Sequence, residues 1–151
     1  MDEQTYREQL LEILRQKSEQ AVSKLRGVEK ALPEMAQGLH IGIHPAQEPD
    51  GSFSIWVHAQ GPNLYALNNA ISENRLLFDG FANTGISDPR TRVPSFDPFN
   101  QDFEVNDVIV QVAFCWLREV WASFGGLASG KSADVFGEED WGDIGLKRLR
   151  P

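Results

Sequence analysis

The chain has 151 residues, a length that suits one domain and lets it bury roughly 70% of its unfolded surface without staples. A hydrophobic content of 41% with nine Phe and four Trp excludes a disordered chain, and the single Cys115 excludes an internal disulfide. The formal charge of −8 works against nucleic acid and anionic membranes and favours a basic partner.

That charge is unevenly placed. Residues 1–32 balance Asp2, Glu3, Glu8, Glu12, Glu19 and Glu29 against Arg7, Arg15, Lys17, Lys24, Arg26 and Lys30. The excess lies downstream, in Asp79, Asp88, Asp97, Asp102, Glu104 and Asp107, against Arg90 and Arg92. It continues in Asp134, Glu138, Glu139, Asp140 and Asp143, with no base between them. The first residues, Met1-Asp2-Glu3-Gln4, are acidic and polar where a secretory signal is basic and then apolar. The most apolar stretch, residues 108–117, is about half a bilayer span. A cytoplasmic location is expected.

In chain order, Tyr6, Leu10, Leu14, Ala21, Leu25, Val28 and Leu32 recur at helical spacing. They predict one long helix over residues 3–31, closed by Pro33. Such a helix is about 40 Å long, and is expected to pack along one side of the body or partly against a second copy. Leu39, Ile41 and Ile43 alternate with His40, Gly42 and His44; Phe53, Ile55 and Val57 alternate with Ser54, Trp56 and His58. With Asp50-Gly51 between them, these runs predict an antiparallel hairpin. Gly61-Pro62-Asn63 opens a helix to about residue 75, and Leu76-Leu77-Phe78 starts a third strand.

From residue 79 to 104 the prolines Pro89, Pro94 and Pro98 break any regular pattern, although residues 80–86 have a chance to pair with the sheet. Val105, Val108, Ile109, Val112, Trp116, Val120 and Phe124 then form the strongest stripe, with apolar residues on most other faces. This predicts a buried central helix near residues 105–124, capped by Asn106 and ended by Gly125-Gly126. Its β-branched start at residues 108–110 leaves a strand reading open. Val135-Phe136 and residues 144–149 supply one or two further short strands. The fold expected is α+β in a single domain: a long N-terminal helix, a hairpin extended to a small sheet, and a buried helix.

Few motifs carry chemistry. Gly125 to Ser132 matches the phosphate-loop spelling, GGLASGKS. That chemistry needs a strand before the loop and a helix after it, whereas a helix precedes it here and carboxylates follow. The match is compositional. His40, His44 and His58 deserve a metal test, but same-face strand residues stand nearly 7 Å apart, so solvent-facing histidines beside Trp56 are expected. Cys115 among Phe114, Trp116 and Leu117 is expected as a core thiol. No nucleophile elbow, zinc-helix motif or calcium-loop spacing is present. No catalytic set, cofactor or metal is predicted.

What stands out is aromatic rings interleaved with acids. One group is Phe96, Asp97, Phe99, Asp102, Phe103 and Glu104; the other is Phe136, Glu138, Glu139, Asp140 and Trp141, with Asp143 following. Rings ringed by charge are favoured at interfaces, and charge complementarity speeds association. The plainer reading is that the rings tuck the loops onto the core. Two segments, GPNLYALNNAI at residues 61–71 and FEVNDVIVQVAFCWLREVW at 103–121, resemble those of small uncharacterised bacterial proteins, a domain of unknown function. The resemblance implies a bacterial origin and carries no activity.

The leading expectation is a protein-binding module, of the immunity type that neutralises a basic toxin. The alternative is a small-molecule-binding domain or enzyme using the hairpin face, with Trp56, His40, His44 and His58 around a pocket. A third is self-association, as a homodimer, through the long first helix.

Overall fold

The computed structural model describes residues 1–81 and 92–151. The expected pairing of residues 80–86 falls mostly outside them. The helices pack against one another and against a mixed five-stranded sheet, ordered β3-β2-β1-β4-β5. The strands are β1 (Gly38–Pro45), β2 (Phe53–Gln60), β3 (Leu76–Asp79), β4 (Ser132–Gly137) and β5 (Lys147–Arg148). The predicted hairpin forms in full register, Ile41 opposite Val57 and Ile43 opposite Ile55. On its other side β1 pairs with β4 in parallel, Gly38 beside Ser132 and Ile43 beside Gly137.

Alternation settles which face is covered. Leu39, Ile41, Ile43, Ile55, Val57, Ala59, Ala133 and Val135 are buried beneath the helices, since successive strand residues point to opposite faces. The even-numbered residues His40, His44, Trp56, His58, Asp134 and Phe136 share the other face. All of them but Asp134 are partly exposed there. The free edge of β2 is completed piecemeal. Ser54 to Trp56 pair with β3, the Val57 amide donates to the Arg75 carbonyl, and the Asn68 side chain serves both backbone groups of Ala59.

The single first helix of the sequence reading is two helices. α1 (Glu3–Arg15) and α2 (Ser18–Ala31) meet at Gln16-Lys17. Asp2 caps α1 by accepting from the Thr5 amide. At the break the Ser18 hydroxyl takes the indole N–H of Trp116 at 2.9 Å, and the chain turns so that both helices follow α4 (Val105–Phe124). No Gly or Pro marks this site. The stripe spacing of seven from Leu14 to Ala21 passes across it unbroken, which is why periodicity missed it. Tyr6, Leu10, Leu14, Ala21, Leu25 and Val28 are all buried within the molecule, so the stripe packs along the body, one of the two placements expected.

The helix after Asn63 is also shorter than expected. α3 (Leu64–Ala70) gives way to a 3-10 turn, Ser72–Asn74, before β3. The buried central helix, α4, occupies the predicted residues and ends at Gly125 in the left-handed conformation (φ 90°). The strand alternative at its start is set aside, since Val108, Ile109 and Val110 are helical. Its first turn corrects the cap. Glu104 holds the cap position without a side-chain bond, while Asn106 lies inside the helix, buried, donating to the Ala46 carbonyl.

Cys115 is corrected as well. It is exposed, on the solvent stripe of α4 with Arg118, Glu119 and Ala122. That stripe was visible in the sequence as polar residues three and four apart. The apolar neighbours of Cys115 concealed it.

Candidate functional site

The phosphate-loop spelling resolves as a helix cap. α4 precedes it and β4 follows it, the reverse of the order phosphate binding requires. Its Ala128 amide donates to the Glu29 carboxylate at 2.6 Å, and the Lys131 ammonium donates to the Glu34 carbonyl at 2.7 Å. The loop is tied down by the protein's own groups.

The histidines come closer than strand spacing allows on its own. His44 stands opposite Ser54 and His58 opposite His40. Between them lies Gly42, where a Cβ would come within 2.4 Å of His44 Nε2 and 2.7 Å of Phe136 Cζ. With no side chain there, the His44 ring folds back along the sheet and meets His58, Nε2 to Nε2 at 3.2 Å. Both imidazoles are half-buried rather than solvent-facing.

The tautomers follow from Arg75, which has donors only. Its guanidinium donates to His58 Nδ1 at 2.9 Å and to the Val57 carbonyl. His58 therefore carries its proton on Nε2 and donates to His44 Nε2, leaving the His44 proton on Nδ1, 3.6 Å from Glu138 Oε1. Burial, then the charges of His44, Arg75 and His40, pull the His58 imidazole down to about 4. Burial also lowers His44, against the raising influence of Glu138.

Every imidazole nitrogen of this pair is engaged. A metal needs a nitrogen lone pair from each ligand, and the tautomer that Arg75 imposes leaves none on His58 Nε2. A general base likewise needs a free lone pair. The arrangement acts as a clasp across β2, β1 and the end of β4. His40 lies apart from it, 3.9 Å from Asp134, beside a depression of about 200 Å³. That volume is below the roughly 300–1,000 Å³ of small-molecule sites.

The aromatic and acidic segments divide. Phe96 and Phe103 are half-buried, with ring centroids 4.7 Å and 5.8 Å from that of Tyr6. Burial raises the Tyr6 phenol, whose hydroxyl has no hydrogen-bond partner among the described residues. Trp141 also packs against the core. Phe99 does not: it is 87% exposed. Asp97, Asp102, Glu139, Asp140 and Asp143 are exposed and Glu138 is half-exposed.

The β1–β2 loop brings the two acidic segments to one end of the molecule. Its Gln47 donates to Glu139 at 3.2 Å, its Asp50 carbonyl accepts from the Phe96 amide at 2.8 Å, and its Pro49 carbonyl accepts from Gln101. The turn Glu138–Asp143 is fastened to α4 through the Gly142 amide, which donates to Asp107 at 2.7 Å. Within that turn Glu139, Asp140 and Asp143 hold positive φ of 53°, 60° and 51°, a region that costs non-glycine residues roughly 1–3 kcal/mol each.

These elements define a two-layer α+β protein with an acidic end at the start of its buried helix. The chain belongs to a family of unknown function, DUF6389, whose model matches residues 1–150. No curated protein and no solved structure matches it.

Proposed function

We propose that this protein is a protein-binding module that docks a basic partner on its acidic end, in the manner of an immunity protein covering a basic toxin. The observation that carries the reading is the convergence on the β1–β2 loop of two carboxylate-rich segments with one bare ring, Phe99, among them. Arg92 is the base of the 92–107 segment among the described residues; the turn Glu138–Asp143 has none. An exposed aromatic surrounded by charge suits an anchor that becomes desolvated on binding. The strained turn supports the same reading, because residues held in sparsely populated backbone conformations cluster at ligand clamps and switch regions.

The test is capture of a basic protein from the source cells by the tagged chain. Wild type, Phe99→Ala and Glu139→Lys/Asp140→Lys are run in parallel, at two salt concentrations. The expected result is one basic partner, weakened by about tenfold or more with Phe99→Ala and lost with the charge reversals and at high salt. Equal recovery across the three proteins, or no basic protein with any of them, overturns the proposal.

The hairpin-face alternative draws on the meeting of His44 and His58. Their fully engaged nitrogens and the small depression beside His40 count against it.

A further inference from the structure

Four of the fourteen bases are also gathered in one place. On the exposed face of α4, away from its N-terminal end, Arg118, Lys147, Arg148 and Arg150 line a groove of about 690 Å³ with Phe114 and Cys115. One carboxylate, Glu119, also lines it, and that one is already held by Arg15 through two contacts of 3.0 and 2.8 Å. Arg148 donates one N–H to Asp134 at 2.6 Å, leaving its other donors available. Arg118 lies over the Phe114 ring, 5.9 Å from its centroid. Lys147 and Arg150 are exposed.

Such a cluster is unexpected in a chain carrying 22 acids and 14 bases. A surface built only for solubility intersperses the signs, and carboxylates are plentiful enough to pair every cation. Holding four cations around one concave surface concentrates positive potential there despite the negative total, because a groove with low-dielectric walls focuses the field. Its volume lies within the range of small-ligand sites. Guanidinium groups suit planar, bidentate recognition of oxyanions.

We infer that this groove binds a small multivalent oxyanion, a phosphate ester or a polycarboxylate, between Arg118 and the Lys147–Arg150 segment. Cys115 serves as a built-in reporter, since it is the one cysteine of the chain and lines the groove. In the intact protein it is alkylated with anionic iodoacetate and with neutral iodoacetamide. Its preference for the anion, relative to free cysteine, should be raised about tenfold and should fall to that of free cysteine in Lys147→Glu/Arg150→Glu.

Inorganic pyrophosphate and citrate are then titrated at constant ionic strength and followed by NMR. A saturable response confined to Cys115, Arg118, Lys147, Arg148 and Arg150 supports the site. The stronger of the two ligands identifies phosphate or carboxylate as the preferred group. Iodoacetate preference no greater than that of free cysteine overturns the inference. So does an NMR response spread equally over outlying bases such as Lys24 and Lys30. Phe99→Ala, at the acidic end, should leave both measurements unchanged, so this test and the test of partner docking fail separately.

Discussion

Protonating His58 would place the new proton on Nδ1, setting a second charge beside the Arg75 guanidinium and leaving two N–H groups facing each other across 2.9 Å. Its folded-state value of about 4 lies below the ordinary 6.5, so the native state binds fewer protons than the unfolded chain. The stabilisation is present above pH 6.5 and is lost as the pH falls toward 4. After allowance for partial exposure it amounts to about 1–2 kcal/mol. Urea midpoints measured across that range should decline, and His58→Gln should flatten the decline. The groups facing the pair are His40, Arg75 and Glu138. Gly42→Ala tests the same clasp from beneath, because its methyl needs the place of the His44 and Phe136 rings. It should cost about 1 kcal/mol and move the NMR titration of His58 toward 6.5. An unchanged titration would show that the ring positions do not depend on that glycine.

The elements differ in how openly the sequence displayed them. α4 and the hairpin were readable because burial on nearly all sides and strict alternation each leave a strong periodic trace. The break between α1 and α2 left none. It arises from a tertiary contact, Trp116 to Ser18, between residues 98 apart, and local propensity carries no information about such a partner. Ser18→Ala would leave a buried indole N–H unpaired and should lower stability by about 1–3 kcal/mol, measured by denaturant unfolding. Gly125→Ala probes a pure backbone effect. A Cβ there meets nothing within 4 Å, so the expected loss of about 1–2 kcal/mol comes from the left-handed conformation alone. A loss near zero would mean that the helix end rearranges.

The candidate site was legible only in part. The acids among aromatic rings were visible in the sequence, whereas their gathering at the β1–β2 loop depends on side-chain bonds from Gln47 and Gln101, residues that pattern reading passes over. Burial of Phe96, Phe103 and Trp141 separates structural rings from the exposed Phe99, and spacing alone does not make that distinction. Cys115 was placed on the wrong face because its neighbours outweighed its stripe.

At the scale of the whole molecule, α4 is 20 residues long, about 30 Å, with carboxylates gathered at its start and a cationic groove along its later turns. A protein with charge separated this way turns in a partner's field, so salt should slow association more than it speeds dissociation. Stopped-flow rates at two ionic strengths would check this. The parallel pairing of β1 with β4 also bears on synthesis. β1 occupies the middle of the sheet, yet one of its two neighbours begins only at Ser132. While the ribosome is still adding the residues before Ser132, β1 has one side open to any strand that drifts past. A nascent chain halted at residue 130 should therefore clump with its copies, and extending it through Ser132–Gly137 should close that side.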